Sequence, residues 1–293
     1  MRQNRGTIIK CRIVRAARLT TAILLVMLIV TMHASFAGSA EPGIFGKIGR
    51  IASELSSGLQ SVVQLNIGHE ITGSEVYKLK AGTRVTRKEL RKSGGSKRYF
   101  RIYKIKKNDR VYKRIYGKSY RDNPNIALSD LRYIKALHYD FDGRIRVGEI
   151  IVNKSIAADT RDVFLELFRI KYQIRKMRLI DRYYTEGGNG TDADHRSMND
   201  DNTSGFNYRT VAGTESISMH GFGRAIDVNP FENPWCPGGR LYPNQASSAE
   251  FANRGIRRPH MIFSDSDITS IFRKHGFRWL GDTDTRDYQH FEK

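Results

Sequence analysis

The 293-residue chain is poor in cysteine, with only Cys11 and Cys236, and Cys11 falls within the leading segment. Without that segment Cys236 has no partner for an internal disulfide, so thiol bridges do not staple the fold. No histidine lies near Cys236 in sequence, and it is expected to be a partly buried bystander rather than a nucleophile. A long apolar run is also lacking. Residues 22–32 are apolar for about a dozen positions, short of the roughly 20 that a membrane-spanning helix needs. Arg2, Arg5, Lys10, Arg12, Arg15 and Arg18 precede that run, and Ser35-Phe36-Ala37 follow it. Residues 1–37 therefore read as a cleaved signal peptide, and the protein is expected in the periplasm, the cell envelope or outside the cell.

Acidic residues are scarce beside basic ones, 30 Asp and Glu against 50 Lys and Arg, which gives a formal charge of +20. Removing the six leading cations leaves +14, a surface drawn to anionic envelope polymers or membrane head groups. Zinc-finger spacing, ribonucleoprotein motifs and basic heptads are all missing, so no specific nucleic-acid partner is expected. No internal repeat is visible.

What is present separates into two parts. Residues 38–120 read as a basic accessory region, weakly specified up to about 95, with interleaved apolar and basic residues at 98–116 suggesting a small β subdomain. Residues 121–293 read as the main folded domain. Leu131, Tyr133, Leu137, Tyr139 and Phe141, the Asp142-Gly143 turn and the apolar run 147–152 predict a β-hairpin. Val163, Phe164, Leu167, Phe168 and Ile170 predict a helix over 159–172 that covers it. A strand is expected over 174–184, a polar loop over 185–204, and a helix capped by Ser264 with Asp267 and stopped at Gly276. A strand over 277–280 follows, with Trp279 expected in the core. The class this implies is α+β, an antiparallel sheet flanked by helices.

The chemistry concentrates in Ser218-Met219-His220-Gly221-Phe222-Gly223-Arg224-Ala225-Ile226-Asp227 and in Asp287-Tyr288-Gln289-His290. Zinc accepts imidazole nitrogen and carboxylate oxygen at about 2.0–2.2 Å, and a catalytic site uses three protein ligands. His220, Asp227 and His290 meet that requirement. On a plain strand His220 and Asp227 point to opposite faces, so the chain must turn between them, and Gly221 and Gly223 allow it. Asp287 is left as the general base for hydrolysis and Arg209 as the cation for the oxyanion. Tyr208 and Ser218, beside these motifs, are candidate substrate contacts. His195 and His260 are reserve ligands, while every lone histidine is more often structural than metal-binding.

The pattern Ser-x-His-x-x-Gly-x-Ala-x-Asp, carried by Ser218, His220, Gly223, Ala225 and Asp227, with a later acidic-x-x-His, resembles the zinc D-Ala-D-Ala carboxypeptidase and L-alanyl-D-glutamate endopeptidase family. Similarity extends through 202–209, 130–133 and 152–153, and so over roughly residues 124–293. The resemblance implies that His220, Asp227 and His290 bind zinc, that Asp287 is the base and that Arg209 serves oxyanion and substrate. It also implies a fold shared with hedgehog signalling domains, peptidoglycan stem peptides as substrate, and a monomer. The chain has Asp287-Tyr288-Gln289 where the carboxypeptidases generally have Glu and aromatics, as the endopeptidase branch tends to. The alternative expectation is a noncatalytic zinc-containing protein that binds the wall or envelope.

Overall fold

The structure is a computed structural model that describes residues 69–211, 213–242 and 249–293. The expected signal peptide and the first part of the accessory region lie outside these residues. Among them no helix is long and apolar enough to cross a membrane.

Two short helices come first, α1 (Gly73–Lys78) and α2 (Arg87–Lys92). Each begins with a reciprocal capping box, Thr72 with Glu75 and Thr86 with Glu89, which satisfies backbone donors that six-residue helices leave free. These signals were legible in a stretch read as weakly specified. Strand β1 (Arg101–Lys104) follows, then helix α3 (Arg110–Ile115), capped by Asp109, where further strand had been expected.

The central hairpin is β2 (Leu131–Tyr139) and β3 (Ile145–Asn153), paired antiparallel from Leu131 opposite Asn153 to Tyr139 opposite Ile145. Asp140 Oδ1 accepts from the amides of Asp142 and Arg144 and closes the turn. β1 pairs with β2, giving the order β1-β2-β3. The described part of the expected β subdomain is thus an edge of the main sheet, and Val76, Val85, Tyr99 and Phe100 lie in the same core as β2 and β3.

Helix α4 (Ala157–Arg169) covers one face of this sheet with Val163, Phe164, Leu167 and Phe168, as the helical spacing predicts, but Ile170, expected on the same face, ends the helix and is exposed. The other face packs on α3 through Tyr133, Ile151, Val111 and Ile115. Instead of a strand over 174–184 there is only β4 (Lys176–Met177) and then a 3-10 turn, Ile180–Tyr183. The expected loop contains helix α5 (Gly190–Asn199), capped by Asn189 and Asp192. Its buried face is small and polar, including Ala193, Asp194 and Ser197, so apolar periodicity did not reveal it.

Next, β5 (Asn202–Thr203) runs parallel to β4. The last sheet joins β6 (Ala225–Asp227), β7 (Arg278–Trp279) and β8 (His290–Glu292) in the antiparallel order β6-β8-β7. Helix α6 (Asp267–Lys274) packs against it with Ile268 and Phe272. Ser266, not Ser264, occupies its N-cap position, without a side-chain cap bond, while the Ser264 hydroxyl donates to Asp282. Gly276 stops the segment with a left-handed φ of 80°, the conformation in which glycine commonly ends helices. The class is α+β, with small antiparallel sheets and helices around a shared core.

Candidate metal centre

The centre is assembled by β6, β8 and the turn before β6. Asp227 and His290 are directly opposed residues of the antiparallel pair, so their side chains leave the sheet on the same face. Residues 218–224 turn tightly, bringing His220 over the end of β6. Gly223 adopts φ 67°, a conformation that glycine reaches without strain. A Cβ there would stand 2.8 Å from the Asn153 amide nitrogen. That amide donates to the Gly223 carbonyl at 2.7 Å. The turn is thereby tied to the end of β3. Ser218 accepts the His220 amide at 3.2 Å and so braces this turn. On the far side of β6, Ser204 pairs with Asp227, and Gly205 lies so close to β3 that a Cβ would meet the Ile151 carbonyl at 2.5 Å.

That close approach aims the Gly205 carbonyl at His220, whose Nδ1 donates to it at 2.7 Å. A carbonyl only accepts, so the proton sits on Nδ1 and Nε2 presents a lone pair inward. The same logic holds for His290. Its Nε2 donates to Glu292 at 3.2 Å, and this outer bond leaves Nδ1 facing inward.

The inward atoms converge. His220 Nε2 is 3.3 Å from His290 Nδ1 and 3.1 Å from Asp227 Oδ2, and His290 Nδ1 is 3.0 Å from Asp227 Oδ1. Two atoms bound at about 2.0–2.1 Å to one tetrahedral ion stand roughly 3.3 Å apart, a spacing the two ring nitrogens meet. With one Asp227 oxygen, the three ligand atoms all lie within 4.8 Å of one another. All three residues are buried, and among the described residues no other group of His, Cys, Asp or Glu is gathered for a metal.

The buried charges of these residues act strongly on one another. Burial pushes the Asp227 carboxyl up, but His220 and His290 outweigh burial and hold it far below the usual carboxylate range. Burial alone pushes the His290 imidazole down, yet Asp227, Glu292 and Asp287 carry it to about 10. Asp287 Oδ2 lies 4.0 Å from His290 Nδ1, while its buried Oδ1 has no hydrogen-bond partner. Burial, reinforced by Asp227 and opposed by His290, pushes this carboxyl up to about 7. Asp287 is positioned by an antiparallel bridge to Trp235.

Residues 212–293 match the family model described as D-alanyl-D-alanine carboxypeptidase, and this stretch contains His220, Asp227, Asp287 and His290. The resemblance read from the motifs is borne out over these residues. The match supports a peptidase, and the His-Asp-His cluster supports a metal-dependent one. No curated protein and no solved structure matches the chain.

The remaining candidates lie upstream of the matched stretch and within it. Arg209 donates through Nη2 to Asp194 at 2.5 Å and through Nη1 to the Thr210 carbonyl at 3.1 Å, and its buried Nε is unpartnered. The backbone of 207–209 pairs with 218–220, which sets Arg209 alongside the His220 turn. The Tyr208 hydroxyl donates to Asn125 at 2.6 Å, and its ring carries Arg121 on one face. His260 stacks on Phe141 and His195 lies near Tyr242, so neither joins the metal cluster. Cys236 is buried, and Trp279 is in the core.

Two residues of the centre escaped sequence reasoning. Glu292 orients His290, and strand alternation two positions on was the available signal. Asp194, which holds Arg209, became legible only with helix α5 in place.

Proposed function

We propose that the protein is a zinc-dependent peptidase that hydrolyses peptide bonds in peptidoglycan stem peptides, either removing a terminal D-amino acid or cutting internally. The observation that carries this reading is the convergence of three inward ligand atoms beside one carboxyl oxygen with no partner. His220, Asp227 and His290 hold the ion, with Gly205 and Glu292 fixing the two rings. Zinc bound there supplies a Lewis acid that polarises a peptide carbonyl and acidifies water.

The chain's own contribution is proton handling and positioning. Asp287, poised at about 7, takes the proton of the attacking water and returns it to the departing amine. Its burial, with Oδ1 left without a partner, keeps it basic enough for the first step and acidic enough for the second. Arg209, held by Asp194, is the fixed cation for the carbonyl oxygen as negative charge develops on it. Ser218 and Tyr208 shape the approach of the stem peptide. An extracytoplasmic location follows from this substrate.

Defined muropeptides incubated with the zinc-loaded protein test the reading through product masses. Wild type is expected to release a D-amino acid or two peptide fragments, and Asp287→Asn neither. Intact substrate with wild type and its retention on the protein would instead favour a noncatalytic wall-binding role.

A further inference from the structure

Charge is divided very unevenly along this chain. Residues 69–121 carry 18 Lys and Arg against 4 Asp and Glu, whereas residues 122–293 carry 24 of each. The excess of +14 in the described part of the protein therefore belongs to 53 residues. Fifteen of those 18 cations are exposed.

The four acids are occupied locally. Glu75 and Glu89 close capping boxes, Asp109 caps α3, and Glu70 pairs with Arg98. Among the described ion pairs, only Arg98 and Arg114 of this stretch have an acidic partner. Folding also sets cations against the backbone of separate elements rather than against acids. Arg110 donates to the Lys78 carbonyl at 3.1 Å, and a Cβ on Gly82 would lie 3.6 Å from the Arg178 guanidinium. Helix α2, of sequence RKELRK, buries no residue at all.

We propose that residues 69–121 form a docking surface for a linear, phosphodiester-linked polyanion, through contacts separate from the metal centre. A hydrated chain of regularly spaced phosphates suits dispersed cations, because each phosphate neutralised releases a condensed counterion. An anionic bilayer suits them less, since interfacial segments pair their cations with apolar residues that insert. Tyr116 is the one large hydrophobic residue of this stretch that is exposed among the described residues. The surface concentrates the protein on the polymer while the neutral remainder stays free to engage peptide.

The test measures binding of the full chain to labelled poly(glycerol phosphate) across a salt series. A variant with Arg87→Gln, Lys88→Gln, Arg91→Gln and Lys92→Gln is compared with a control of equal net charge, Arg144→Gln, Arg169→Gln, Lys171→Gln and Lys274→Gln. The first is expected to bind about tenfold or more weakly at about 0.1 M salt, with the log-log salt slope reduced by about 3. The control stays within about twofold of wild type, because its cations lie on the neutral part. A second variant, Lys104→Gln, Lys106→Gln and Lys107→Gln, gives the same answer without touching α2. Equal losses in variant and control would overturn the proposal, as would tighter binding to anionic phospholipid vesicles at matched phosphate. Chelator leaves the binding unchanged if the surface is separate from the metal centre, and loss of binding on chelation refutes it. This outcome is independent of whether the peptidase reading holds.

Discussion

Two buried clusters of charge sit in this fold, and they differ in whether they close on themselves. In the first, between the sheet and α3, Glu149 accepts from Tyr133 at 2.6 Å, from both Nη atoms of Arg114 at 3.0 and 2.8 Å, and from Lys135 at 3.3 Å. Lys135 also reaches the Leu79 carbonyl, and Arg114 pairs with both oxygens of Asp181. Two cations meet two anions, and every carboxylate oxygen that burial strips of water finds a donor. In the second, Asp227, Asp287 and Glu292 surround two imidazoles whose inward nitrogens face each other and Asp227, and one oxygen of Asp287 has nothing to bind. The first cluster is complete as a piece of architecture. The second leaves a buried carboxylate oxygen without a donor, and that incompleteness distinguishes a site from a scaffold.

The sharpest break in the comparison is removal of the ion. Dialysis against chelator is expected to bring peptide hydrolysis to background while the unfolding midpoint in urea changes far less than activity does, and added zinc restores turnover. Next, Asp287→Asn is expected to lower kcat by about 10²–10⁴ while zinc content stays at wild-type level, since a general base contributes on that scale. Metal analysis beside steady-state kinetics checks both halves.

The converse experiment strikes the closed cluster. Glu149→Leu leaves Lys135 and Arg114 facing each other without their anion and is expected to cost about 3–5 kcal/mol in urea unfolding, with zinc affinity of the folded fraction unchanged. A smaller effect is expected for Glu292→Gln, which weakens the grip on the His290 ring and with it zinc affinity by about 10–100-fold in competition titrations.

Proton linkage gives the smallest and most graded contrast. Burial outweighed by Arg114 and Lys135 holds Glu149 at about 2, so its share of stability is present above the ordinary value of 4.5 and is lost as pH falls toward 2. Glu232 behaves oppositely. Burial, then the neighbouring Asp201, pushes it from 4.5 to about 8, so the folded chain keeps a proton that the unfolded chain has released. Stability should fall as pH rises through that window, and Glu232→Gln should flatten this part of the urea-unfolding profile.

How much of this was legible in the sequence depended on what holds each element. The hairpin, α4 and the segment before Gly276 are held by apolar faces, whose periodicity survives in one dimension. Helix α5 is held by the Asn189 cap and by Asp194, and its buried positions are mostly small or polar, so it passed for a loop. The six-residue helices at 73–78 and 87–92 announce themselves only through Thr-x-x-Glu boxes. At the site, His220, Asp227 and His290 could be named from residue type and motif. Glu292 and the Gly205 carbonyl could not, because their roles depend on which nitrogen of each ring faces inward.

The proposed chemistry needs one ion held by His220, Asp227 and His290, and zinc stoichiometry after exhaustive dialysis tests this most directly. Wild type and Asp287→Asn should each retain one zinc per chain, and Asp227→Ala none. Full zinc occupancy in folded Asp227→Ala would contradict the assignment.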